Sequence, residues 1–322
     1  MVVAMADASG ARVVAYGRAL RGSEEPVTGD SVFEVGSVTK VFTSLLLAQM
    51  VEAREVQLDD PIARYAPPSV RSPRAREVTL LHLSRHTAGF PLFPDNMRPV
   101  DPLNPLDVYS SKALFEFVDR YRTGNAAGTF HRYSNVGPAL LGELLARRAK
   151  VDYETALRRR ILEPLGMHRT GLALTPELRA AHALGHTMEG QPLPLGDVRG
   201  MLGAGSLRTA GNDMARFLQA NLGFVDSPLA AAMRATHETR ADRQMPDLAM
   251  GLGWFHATVL GTRLVVHGGA TDGFNAYMGL DLPGRRGVAV LSNSEHEVQN
   301  IAVHLLVPRV PLYQPDPSGD RN

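Results

Sequence analysis

The chain opens on an alternation of apolar and polar positions, MVVAMADASGARVVAYG, that turns at Ser9-Gly10 and then resumes. This period predicts short strands joined by Gly- and Asp-containing turns through about residue 35. From Ser37 the pattern changes. Val38, Val41, Phe42, Leu45, Leu46, Leu47, Ala48, Met50 and Val51 leave almost no polar face, the mark of a central buried helix. Between about Asp60 and Gly200 the runs VTLLHLSRHTAG, SSKALFEFVDRYR, GPALLGELLARRAKV and YETALRRRILEPLGM read as helices with Pro-rich connections. The strand signal returns in TRLVVHGG, FNAYMGLDL and RGVAVLSNS, and EVQNIAVHLLV closes the pattern as an amphipathic helix able to cover one sheet face.

Strands at both ends and helices between them predict an α/β fold of the α+β type. Its antiparallel sheet is built from both chain ends, with flanking helices and an all-helical insert. The expected division is a discontinuous sheet domain of residues 1–60 and 201–315, a helical domain of 61–200 and a disordered tail of 316–322. A cleft between the two parts is the natural place for a site, and its size depends on how the Pro-rich segment Pro91 to Pro105 folds over it.

Composition narrows the function classes. The 322 residues are 44% hydrophobic with a net charge of +1, which gives no basic footprint for nucleic acid. The densest basic run, Arg158 to Arg160, reads as a solvated helix face. No apolar run approaches the roughly 18 residues of a membrane span. Cysteine is absent, which removes disulfides, thiolate metal sites and a cysteine nucleophile. His82 and His86 stand at helical spacing, but no glutamate follows the first as a zinc protease needs. Gly185 interrupts the pair His182 and His186. No metal and no cofactor is therefore expected. A G-x-S-x-G elbow is absent as well, against the α/β-hydrolase route to serine chemistry. No leader is legible before the first strand, so the expectation is a soluble protein whose compartment stays open: periplasmic or secreted if an export leader has been removed, otherwise cytoplasmic.

Three short motifs carry the candidate chemistry. The chain holds only three lysines, Lys40, Lys112 and Lys150, and one of them lies three positions after Ser37 on the buried helix. Residues three apart share a helix face. A lysine desolvated there can lose its proton near neutral pH and activate the serine hydroxyl, whereas arginine stays protonated. Gly36 and the helix N-terminus would add backbone donors for an oxyanion. The second motif is Tyr133-x-Asn135: a phenol beside an ammonium should have a lowered pKa and relay a proton, and Asn135 could bind a substrate amide or carbonyl. The third is His267-Gly268-Gly269, whose glycines would let a substrate lie along a strand edge and whose next amide, of Ala270, could donate to an oxyanion. Singly each has a structural explanation, since serine caps helices and lysine snorkels, but the ordered trio is rare by accident.

In this order and spacing the motifs resemble the serine β-lactamase and penicillin-binding superfamily, in its branch of class C β-lactamases, DD-peptidases and family VIII esterases. VTLLHLSRHTAGFP, RYSNVGPALLGELL, ILEPLGMHRTGL, GAGSLRTAGNDMARFLQ and HGGATDGFNAYMGLD carry the likeness over nearly the whole chain. The resemblance implies an acyl-enzyme hydrolase. Ser37 would be the nucleophile, Lys40 and Tyr133 the proton-handling pair, and Asn135 with the His267 strand the substrate clamp. The amides of Ser37 and Ala270 would form the oxyanion hole.

Two departures qualify this. The class C pattern has Lys-Thr-Gly where this chain has His267-Gly268-Gly269, so a grip on a substrate carboxylate should be weaker. The family also places a helix before the first strand, so either the start lies upstream or other residues cover that sheet face. The expected substrate is a small molecule. β-Lactams or related amides come first, short-chain esters second, and D-amino-acid peptides or penicillin binding without turnover remain alternatives.

Overall fold

The structure, a computed structural model, describes residues 1–97, 109–195, 200–238 and 249–312. The tail expected to be disordered lies outside the described residues, as does residues 98–105 of the Pro-rich segment. The strands are β1 (Val2–Asp7), β2 (Gly10–Ala15), β3 (Val32–Glu34), β4 (Arg208–Ala210), β5 (Phe255–Val259), β6 (Thr262–Thr271), β7 (Phe274–Asp281) and β8 (Arg286–Ser292).

Six of them form one antiparallel sheet in the order β2-β1-β8-β7-β6-β5. The seam between the two chain ends is β1 against β8, with Val2 opposite Leu291 and Ala4 opposite Ala289. The expectation of a sheet built from both ends is met because Val2, Ala4 and Ala6 point to one core while Val3 and Met5 turn toward another cluster on the opposite face. The helix Gly211–Asn221 packs on the first face across β1, β2 and β8, and the helix Gln299–Leu306 covers β7 and β8 on the second. Val14 on β2 and Tyr16 just beyond it stay exposed, so the closing helix does not cover the whole second face.

The buried helix is Thr39–Glu52, led in by a tight turn over Gly36–Val38. Eleven of its fourteen residues are buried. Phe42 stacks on Phe217 at 4.5 Å and so joins this helix to Gly211–Asn221. Its polar side chains are satisfied internally: Thr43 Oγ1 donates to Gly203 O at 2.7 Å and meets the Tyr153 hydroxyl at 2.6 Å, and Ser44 Oγ meets Ser84 Oγ at 2.8 Å.

Among the described residues of 61–200 there is no strand, only helices such as Ser111–Arg120 and Val136–Ala149. Two details differ from the sequence reading. The helix in VTLLHLSRHTAG covers only Leu80–Ser84, and His86 stands beyond it with φ of 56°, so His82 and His86 do not share a helix face. Arg160, read as solvated, is half-buried and grips both carboxylate oxygens of Glu55 at 2.7 and 3.1 Å, pinning its segment to the end of the central helix. The short strand β5 was not legible in the sequence. On β6 its five residues reach only Thr262–Val266, so from His267 onward β6 is hydrogen-bonded to β7 alone and offers a free edge.

Candidate active site

The tight turn Gly36–Val38 butts against that free edge. A Cβ on Gly36, whose φ is +47°, would stand 2.7 Å from Ala270 N, and a Cβ on Gly269 would stand 2.1 Å from Val35 O and 2.7 Å from Ser37 N. Only glycine fits at either position. Their bare backbones let the serine turn and the β6 edge, with the Ser37 and Ala270 nitrogens on them, approach this closely, as an oxyanion hole between them would need.

Ser37 is partly exposed while Lys40, one turn on, is buried. Lys40 Nζ donates to Ser37 Oγ at 2.8 Å and to Ala204 O at 2.7 Å. No carboxylate lies among these partners. Burial therefore acts unopposed and lowers the Lys40 pKa to about 7. At neutral pH much of the amine is unprotonated, and it can accept the serine proton while one N–H keeps the Ala204 carbonyl. That carbonyl belongs to the short Leu202–Gly205 turn, where a Cβ on Gly203 would stand 2.6 Å from Pro138 O.

Tyr133 arrives from the loop before Val136–Ala149. Its ring centroid lies 5.0 Å from Lys40 Nζ, and the Ser37 side chain stands beside its hydroxyl. The expected lowering of its pKa is overturned: burial raises it, and the neighbouring Ser37 side chain only partly opposes this. An ammonium lowers a phenol's pKa through charge, and here the amine is itself half discharged by burial. Tyr133 thus stays a protonated phenol, a donor rather than a base. Asn135 occupies the head of the same helix, and its side chain does not cap it. Its backbone N–H donates to Leu92 O at 3.0 Å, tying the loop to the segment after His86.

His267 is brought to the site but not into the cleft. Its side chain is 2% exposed, Nδ1 lies 2.6 Å from Gly268 O, and the ring packs on Phe255 at 5.4 Å. Burial, then the nearby Lys40, lowers its pKa to about 3, so it is a neutral ring throughout the working range. Gly268 and Gly269 are partly exposed and Ala270 is exposed along the free edge. Sequence reasoning missed two neighbours of Tyr133. The His86 ring lies 4.5 Å from it and the Phe255 ring 6.3 Å. His86 sits inside a quoted run, but only its positive φ distinguishes it, and φ is not written in the sequence.

Among the described residues no cluster of three or more His, Asp or Glu could hold a metal ion. Nor is any helix there long and apolar enough to cross a membrane.

The family model described as Beta-lactamase matches residues 2–306. A beta-lactamase of Yersinia enterocolitica is 30% identical over 248 residues, covering 74% of this chain and 60% of the relative. A beta-lactamase of Escherichia coli (strain K12) is 29% identical over 242 residues, covering 74% of this chain and 61% of the relative. The chain thus spans about three fifths of the length of these curated relatives. A solved class C beta-lactamase superposes with a TM-score of 0.81 at 24% identity, covering 95% of this chain and 89% of that one. A beta-lactamase/D-alanine carboxypeptidase from Pseudomonas syringae does so with a TM-score of 0.81 at 21% identity, covering 96% and 93%. At these identities the two structures establish the shared fold.

Proposed function

The chain belongs to the beta-lactamase family, and we propose that it is a metal-free serine hydrolase that works through an acyl-enzyme on Ser37. The observation that carries this reading is the contact between Ser37 Oγ and a lysine whose pKa is lowered to about 7. In the proposed reaction neutral Lys40 takes the serine proton as Oγ adds to the substrate carbonyl. The amides of Ser37 and Ala270 receive the oxyanion. Collapse breaks the bond to the leaving group, which takes a proton from the Tyr133 phenol, and the proton held by Lys40 makes good that loss. Water then enters by the same steps, releases the acid and restores Ser37. Asn135 and the free edge from His267 to Ala270 serve as the substrate clamp.

We take β-lactams and related amides as the first substrate class, in keeping with the family. A second reading, hydrolysis of short-chain esters, draws support from one observation: the ring of His267 is neutral and covered, so it supplies no cation for a substrate carboxylate. The deciding experiment is steady-state turnover of a chromogenic cephalosporin, p-nitrophenyl butyrate and a D-alanyl peptide, each with wild-type and Ser37→Ala protein. Cephalosporin turnover that vanishes in the variant supports the first reading, and ester turnover alone supports the second. A burst without turnover means a penicillin-binding protein, and activity surviving Ser37→Ala overturns the mechanism.

A further inference from the structure

His86 is held in a conformation that side chains rarely adopt, with φ of 56° in the left-handed region. It is 2% exposed and stands just after the helix Leu80–Ser84 has ended. Such backbone strain persists only where surrounding contacts overdetermine it. Here the contacts converge on one residue. The His86 carbonyl accepts from Arg132 N at 2.9 Å, and its ring Nδ1 accepts from Ser134 N at 3.2 Å. The two donors are the residues immediately before and after Tyr133. The imidazole lies over the Tyr133 ring with centroids 4.5 Å apart and planes 34° apart. Phe255 stacks at 6.3 Å on both rings.

We propose that His86 is a positioning residue that clasps the backbone on both sides of Tyr133, packs on its ring, and thereby aims the phenol at Ser37. This rests on the acyl-enzyme reading above. The rest of the segment extends the clasp: Thr87 O accepts from Gly128 N at 2.9 Å, Pro91 O from Ser134 Oγ at 2.7 Å, and Leu92 O from Asn135 N at 3.0 Å. A phenyl ring could stack equally well, but it has no acceptor for the Ser134 amide. Because Nδ1 accepts, the ring proton resides on Nε2, which is buried with no hydrogen-bond partner among the described residues. The titratable groups facing the ring are Lys40, His267 and His131, and burial first, with these groups after it, keeps His86 unprotonated. Protonation would replace the acceptor by a donor and break the clasp.

The test compares His86→Phe, His86→Asn and His86→Ala with wild type on whichever substrate turns over. Asparagine tolerates a positive φ and carries an acceptor oxygen. The expected result is a kcat about tenfold lower in His86→Phe with KM within about twofold, as for the loss of one hydrogen bond that orients a reacting group. The basic limb of its kcat pH profile should also move. His86→Asn should recover most of the kcat that His86→Ala loses. In protein labelled with 3-fluorotyrosine, the 19F resonance that disappears in Tyr133→Phe should shift in His86→Phe.

Wild-type kcat and an unmoved Tyr133 resonance in His86→Phe overturn the proposal. So does an asparagine variant no better than alanine, which would mark His86 as general packing. Labelling of wild-type Ser37 by a fluorophosphonate separates the two levels. If Ser37 does not label, the acyl-enzyme reading fails. If it labels and the His86 variants behave as wild type, only the positioning role fails.

Discussion

Gly36 and Ala270 face each other so closely that a Cβ on residue 36 would stand 2.7 Å from the Ala270 nitrogen and 2.5 Å from its carbonyl oxygen. Residues 234 positions apart in the chain thus lie backbone against backbone with no side chain between them.

The first prediction concerns this contact. Gly269→Ala puts a methyl 2.1 Å from Val35 O, so β6 must move away from the serine turn. Loss of one oxyanion donor costs about 10²- to 10³-fold in kcat. The variant should fold, with a circular dichroism spectrum like wild type, and should lose turnover by that factor. Near-normal kcat would mean that the hole is not formed by these two amides.

Lys40 gives the second prediction. In the proposed mechanism catalysis needs the neutral amine, so kcat/KM should rise with pH through about 7, level, and fall only where the Tyr133 phenol ionises, above its ordinary range. Lys40→Arg should be nearly as inactive as Lys40→Ala, because a guanidinium does not give up its proton. His267→Gln should keep the rise near pH 7, since His267 is already neutral there. If His267→Gln abolished the rise, the titrating group would be the histidine.

The same shift makes a third prediction, about stability. The folded-state pKa of Lys40 lies near 7 and the unfolded value near 10.5. Between these values the unfolded chain binds more protons, so Lys40 makes stability increase from about pH 7 to pH 10.5. Below pH 7 both states are protonated and the full cost of a buried ammonium remains. Lys40→Met should therefore be inactive and melt a few degrees higher than wild type at pH 6, in a calorimetric scan. A lower melting temperature would show that the Ala204 and Ser37 hydrogen bonds outweigh burial.

The fourth prediction tests what lies under Ser37. Arg208 is 1% exposed, pairs with Glu34 at 3.0 Å and donates to Leu172 O at 2.6 Å, so it locks β4 to β3 just before the serine turn. Arg208→Ala leaves Glu34 without this partner and should cost about 3–5 kcal/mol in urea unfolding. A cost below about 1 kcal/mol would mean that the glutamate finds water instead.

Much of this protein is legible in its residue order. The alternation at both termini specified one sheet because strand faces follow a period of two, and the nearly unbroken apolar run after Ser37 specified a buried helix. Ser37, Lys40 and Tyr133, which the structure brings together, were legible as a group because few side chains suit the roles of nucleophile, base and proton donor proposed for them. The short β5 and the helix end at Ser84 were not legible, since they depend on pairing and packing with distant segments.

What the tertiary structure alone decided is the protonation state of each group. Lys40 is discharged by burial under residues such as Ala204, 164 positions away, with no carboxylate to restore its charge. Tyr133, expected to be acidified by the lysine, is instead held protonated by its own burial. His267 becomes a neutral wall, and His86 becomes a clasp on Tyr133 that no spacing announced. A sequence states which groups are present, but desolvation is a sum over neighbours that only the folded chain brings together.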